Sequence, residues 1–165
     1  MAYISPSPGT TSQVVLKLDC GIALGTLTLG GSPLTVPALQ DITINAANDV
    51  FTWSQLDATA KKQVATTSTN SIGMNLVVDS ATFFGSTLAS VQSDTVAAQG
   101  LLGLSRNKTL VTFSLKFAEE GASDKYIKGQ GYITGLAPTV SADSPVWVSP
   151  ITITVTGEYT ASATE

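Results

Sequence analysis

The chain has 165 residues, 43% hydrophobic and 12% charged, with twelve acids, eight bases and no histidine. That length suits one domain, while the charged share is half the roughly 25% usual for soluble proteins. A net charge of −4 argues against a nucleic-acid grip, which needs clustered Lys and Arg, and the missing imidazole excludes Ser-His-Asp and Cys-His catalysis and His-based metal sites.

Residues 2–13 carry Pro6, Pro8 and Gly9 among Ser and Thr, and read as an extended arm that a neighbouring molecule would order. From Val14 the period becomes two: Val14, Leu16, Leu18 and Cys20 point one way, Val15, Lys17 and Asp19 the other. Leu27 and Leu29 alternate with Thr26 and Thr28 between Gly25 and Gly31, and Ile42 and Ile44 alternate with Asp41, Thr43 and Asn45. A helix is expected from Ser54 to about Thr66: Ser54 followed by Asp57 is a capping signal, and Leu56, Ala60 and Val64 would form one inward face opposite Lys61 and Lys62. After Gly73, Met74, Leu76 and Val78 alternate with Asn75, Val77 and Asp79.

The second half is more uniformly β. Val111, Phe113, Leu115 and Phe117 oppose Leu110, Thr112, Ser114 and Lys116, with a turn at Asn107-Lys108 before them. Glu119–Asp124 reads as a loop. The next strand, Tyr126 to Leu136, holds Gly129, Gly131 and Gly135, a bulge signature. A polar loop over Pro138–Pro145 precedes a last strand with Ile151, Ile153, Val155 and Tyr159 on one face and Thr152, Thr154, Thr156 and Glu158 on the other. The expected fold is mainly β, a sandwich or flattened barrel of two packed sheets with one flanking helix. Its domain spans 14–160, between an arm at 1–13 and a tail at 161–165.

No residue pattern builds a catalytic or cofactor site, so no enzyme activity, metal or cofactor is expected. Cys20, the only cysteine, sits in an apolar row and reads as a buried structural thiol. Glu119-Glu120 reads as a solvated loop pair, and Asp19, Asp41 and Asp79, at or near strand ends, have no spacing that compels a shared carboxylate site. GLLG (Gly100 to Gly103) lacks the context of a phosphate cradle and reads as turn glycines. Asn107-Lys108-Thr109 matches a glycosylation triplet by chance. No run reaches the length of a membrane span, and a start without a signal pattern fits synthesis in a cytosol. What stands out is the sparse charge: a β-rich surface this poorly ionised is expected to be covered by copies of itself.

The block FTWSQLDATAKKQVATTSTNSIGMNLVVDSATFFG (Phe51 to Gly85), followed in order by VTFSLKF, KGQGYITG and ITITVTGEYT, resembles major tail tube proteins of long, non-contractile-tailed (siphovirus-type) bacteriophages. The resemblance spans about two-thirds of the chain and rests on packing patterns. It implies a structural virion protein, made in the bacterial cytoplasm, whose copies form hexameric rings stacked into a tail tube that conducts the genome. The implied partners are other copies, a tape measure protein, tail terminator and tail tip proteins, and viral DNA in transit. Candidate subunit contacts are Tyr3, Ile4, Phe51, Trp53, Lys61, Lys62, Thr66, Thr67, Phe83 and Phe84. Candidate acids facing the lumen are Asp19, Asp41 and Glu158. A carbohydrate-binding β-sandwich module is the alternative from another class, and a tail terminator or capsid decoration protein the alternative within virions.

Overall fold

A computed structural model describes residues 14–37, 39–54, 56, 60–88, 93–118 and 123–165. In chain order these form β1 (Val14–Cys20), β2 (Leu34–Thr35), β3 (Leu39–Trp53), β4 (Lys62–Val77), α1 (Ser80–Phe84), α2 (Val96–Arg106), β5 (Val111–Phe117), β6 (Lys125–Leu136), β7 (Thr139–Ser141) and β8 (Ser144–Ser162). The mainly β architecture is the expected one. Its strands, however, share one hydrogen-bonded path, β2-β1-β5-β6-β8-β4-β3, with β7 added to β8. The two expected sheets are joined because β8 is long enough to serve both halves: Thr154 is the register partner of Tyr132 in β6 and of Ser71 in β4.

Period-two patterning explains which face is buried. Leu16, Leu18 and Cys20 align with Leu115, Phe113 and Val111, and Ile151 and Ile153 align with Met74 and Ile72. All ten are buried, in one cluster with Phe83 of α1 and Val96, Leu101 and Leu104 of α2. Strand β6 carries the extra residue of the register shift between Ile133 and Gly135, as glycine spacing foretold, whereas the shift beside Gly129 has its extra residues in β8, where Gly157 has φ 85°. Gly129 is required there, since a Cβ would sit 2.6 Å from Cζ of Phe113, a ring that is 0% exposed.

The helix expected over 54–66 is a correction. Residues 62–66 belong to β4, and Ser54, Leu56 and Ala60 lie outside any helix; Asp57, its expected capping partner, lies outside the described residues. Val64 faces Phe51 across the β3–β4 ladder, and Leu56, Ala60 and Val64 are exposed rather than inward. The β-branched run from Val64 to Thr69 packs better on a pleated ladder than in a helix.

Helices occur instead at α1 and α2. Asp79 caps α1 by accepting from the Thr82 N–H at 3.0 Å. Gly100, read as a turn glycine, kinks α2 at φ 64°, where a Cβ would overlap the backbone of Gly85. Residues 25–31 form no strand, the Pro138–Pro145 loop contains the β7–β8 hairpin, and β8 continues through Ser162, past the expected domain edge.

Candidate functional site

Three surfaces of the sheet have unusual chemistry. The first is the far half of the β3–β4 hairpin. Of residues 46–53 only Trp53 is half-buried, and residues 62–69 are all exposed, so this ribbon stands clear of the core on both faces. It is held by its own ladder, Ala47↔Thr69 to Trp53↔Lys62. Thr66 and Thr67 pin the register shift by donating to the backbone carbonyl and side chain of Asp49, each at 3.2 Å. Phe51 and Trp53 stack with centroids 5.9 Å apart, although Phe51 is 59% exposed. Six sequence candidates, Phe51, Trp53, Lys61, Lys62, Thr66 and Thr67, thus come together on or beside one projecting ribbon.

The ribbon is anchored where it leaves the body. The Tyr159 hydroxyl lies 3.0 Å from the Asn45 carbonyl and 2.8 Å from that of Ser71, and Asn70 Nδ2 donates to the Gly157 carbonyl at 2.9 Å. Burial pushes the Tyr159 phenol up, so it remains a neutral donor.

The second surface is the solvent face of β6, β8, β4 and β3. Its register rows are Tyr132–Thr154–Ser71–Asn45, Gly135–Thr152–Gly73–Thr43 and Pro150–Asn75–Asp41. No Lys or Arg occurs in these rows, and Asp41 is their one acid. Asn75 Nδ2 donates to both Asp41 oxygens, at 3.1 and 2.9 Å. Glu158 is exposed farther along β8. Of the three acids expected on a lumen, Asp41 lies in these rows, and Glu158 is exposed within the β8 register shift between Thr156 and Thr160.

Asp19 is a correction. It is 5% exposed and accepts from the N–H groups of Cys20 at 2.8 Å and Gly30 at 2.6 Å. Its outward parity is real, but residues 21–32 fold back over it. Gln130 fastens the same loop: its Oε1 accepts from Gly25 N–H at 2.6 Å, and its Nε2 lies 3.0 Å from the carbonyls of Ala23 and Thr26 and 2.9 Å from Thr112 Oγ1.

The third surface is apolar. Trp147, Val146, Val140 and Phe84 are 51%, 47%, 48% and 39% exposed. Trp147 and Phe84 border a cleft of about 300 Å³ with Val78, Phe83 and Pro138. The Phe pair splits because consecutive helical residues diverge by about 100°: Phe83 is 5% exposed and in the core, and Phe84 points outward. Tyr3 and Ile4 lie outside the described residues.

No catalytic cluster forms among the described residues, where Asp19, Asp41 and Asp79 have separate partners and no group of metal-ligating side chains assembles. Cys20 is 4% exposed, and burial, aided by the negative charges of Asp19 and Asp94, pushes its thiol up to about 11. It is the structural thiol expected. Sequence reasoning missed the length of the ribbon and the outward Trp147; the Ser/Thr/Asn-rich strand halves, polar on both faces, were the available signal.

These features define a β protein with a projecting hairpin whose outer strand, β3, ends the sheet among the described residues. Chains with this architecture occur in several solved assemblies. One belongs to the virion of a native gene transfer agent particle (TM-score 0.61, 11% identity, covering 93% of this chain and 98% of that one). Another is the SPP1 tail tube (TM-score 0.60, 14% identity, 93% and 78%). A third comes from the extended sheath–tube complex of an extracellular contractile injection system, PVC (TM-score 0.55, 14% identity, 98% and 95%). No protein-family profile matches the chain, and no curated protein sequence does. At these identities the likeness establishes a shared fold.

Proposed function

We propose that the chain is the repeating subunit of a tail tube: copies close into rings, six to a ring, and rings stack into a conduit for a phage-type genome. The observation that carries this reading is a set of three register rows across β6, β8, β4 and β3 that hold no cation, beside the edge strand β3. Strand β3 runs 15 residues and, among the described residues, pairs only with β4. An uncovered edge of that length is a template for another chain, and joining copies there removes the liability. The shared cation-free rows would then line the bore, where DNA slides without counterion-releasing contacts; Asp41 and Glu158 would face it. The ribbon residues Phe51, Trp53, Lys61, Lys62, Thr66 and Thr67, the exposed Phe84, and Tyr3 and Ile4 of the arm would contact neighbouring copies. A tape measure protein inside, terminator and tip proteins at the ends, and assembly in the host cytoplasm complete the reading.

Negative-stain microscopy of the purified protein tests it. Hollow filaments with a regular axial repeat are expected. Isolated rings would favour a terminator, and a monomer at every concentration and salt would refute assembly. Deleting residues 2–13 should leave a folded chain that fails to elongate.

A further inference from the structure

The face of β1–β5–β6 opposite the core is polar, and its charged groups have partners among the described residues with one exception. Three lysines lie on it. Lys17 Nζ is 2.6 Å from Glu165 Oε2, and Lys116 Nζ is 2.6 Å from Asp124 Oδ2. In the row of Asp19, Thr112 and Gln130, each side chain has hydrogen-bond partners. The remaining row runs Lys17–Ser114–Lys128–Thr160 across β1, β5, β6 and β8. In it Lys128 is 8% exposed yet has neither an ion pair nor a hydrogen bond among the described residues. Directly opposite, Ser114 is 1% exposed, and its Oγ is the one buried side-chain oxygen among the described residues without a partner.

Cross-strand partners on one face bring Cβ atoms to about 5 Å, so the ammonium and the hydroxyl can converge on one acceptor. Leaving the buried Ser114 hydroxyl unpaired is costly, while the Lys128 amine keeps an opening to solvent through which a partner group can reach it. The group that satisfies them is anionic, because a lysine can only donate and the serine can add a second donor.

We propose that Lys128 and Ser114 form a two-donor oxyanion site that takes a side-chain carboxylate of a neighbouring copy. The occupant is argued from charge: acids outnumber bases by 12 to 8, and Asp94, Asp143 and Glu158 are exposed with no ion pair among the described residues. A second copy therefore supplies the missing charge at high local concentration. The inference rests on the assembly reading above and adds to it a specific polar contact.

The test uses the full chain with Lys128→Met, Lys128→Arg and Ser114→Ala. Methionine keeps the buried stem, so K128M should fold with an unchanged circular-dichroism spectrum, while its critical concentration for assembly rises at least about tenfold and loses part of its salt dependence. K128R should retain most assembly, and S114A should show a smaller defect. Acylation of the Lys128 amine, read by mass spectrometry, should be suppressed in assembled wild-type protein relative to dissociated subunits. Wild-type tubes with unaltered K128M assembly and equal acylation in both states would overturn the site and leave the tube reading standing. No wild-type assembly would overturn both. If 10–50 mM phosphate or acetate (roughly, millimolar-scale weak sites) stabilised the dissociated wild type but not K128M, while K128M assembled normally, the anion would be a free one, which overturns the neighbouring-copy assignment.

Discussion

Removing the Gln130 side chain should release the loop over residues 21–32 without disturbing the sheet that carries it. Gln130 is 2% exposed. Its amide has two hydrogens facing three acceptors, Ala23 O, Thr26 O and Thr112 Oγ1, while Oε1 accepts from Gly25 N–H. At most two donated bonds and one accepted bond exist at once. At about 1 kcal/mol net each they contribute about 3 kcal/mol, and a stranded, part-buried Gly25 N–H adds up to about 1 more. Gln130→Ala should therefore lower unfolding free energy by about 3–4 kcal/mol, a large fraction of the roughly 5–15 kcal/mol typical of a domain. Urea unfolding measures the total, and amide exchange should quicken at residues 22–30 before it does in β5. Gln130→Glu should be worse at neutral pH, because a carboxylate would face carbonyl oxygens in place of the N–H donors. That penalty should shrink as acid protonates the carboxylate. A cost under about 1 kcal/mol for Gln130→Ala, or exchange that quickens uniformly, would refute the idea that this one amide fastens the loop.

Asp79→Ala should destabilise the protein at neutral pH by removing the side-chain N-cap of α1. The Thr82 N–H holds the Asp79 carboxyl below its ordinary range. The cap's contribution is therefore complete above the unfolded pKa near 4, and is lost as pH falls through the lower folded value. Denaturation curves of wild type and variant should converge in strong acid. Cys20 should resist iodoacetamide at pH 8 in the folded protein, since its thiol titrates near 11, and react within minutes after denaturation; prompt reaction in the native state would contradict its burial.

How far the fold could be read from sequence depended on whether one side of a strand had to be buried. In β1, β5 and the later part of β8, alternation between residues such as Leu16 and Lys17, or Ile153 and Thr154, follows from a core on one side only, and their faces came out as expected. The ribbon has no buried side, so no selection for period two acted on residues 62–69, and the chance spacing of Leu56, Ala60 and Val64 imitated a helix. The real helices were harder to see: α1 has only five residues, and α2 is broken by a glycine at positive φ, which no 3.6-residue pattern anticipates. Asp19 failed for a third reason. Its parity correctly placed it opposite the core, but parity says nothing of a loop that folds back onto that face.

Hydrogen bonding extends a sheet across its strands, whereas the ribbon extends along them, so the two exposed features point in nearly perpendicular directions. Copies added at the β3 edge grow sideways, and a tilt between them can close the row into a ring. The ribbon, eight residues long on each strand, reaches about 26 Å beyond the core, enough to touch a molecule in the next layer. The two contacts should therefore fail separately. Thr43→Lys with Asn45→Lys, at exposed edge positions, should abolish rings and tubes together, because charge at an edge opposes strand addition. Phe51→Ala with Trp53→Ala should leave rings intact and stop stacking, with monomer stability lowered by no more than about 2 kcal/mol, since Phe51 is mostly exposed, Trp53 is half-buried and neither belongs to the core cluster. Sedimentation separates monomer, ring and filament in one run. If the ribbon variant lost rings and filaments in equal measure, the assignment of sideways growth to the edge and axial growth to the ribbon would be wrong.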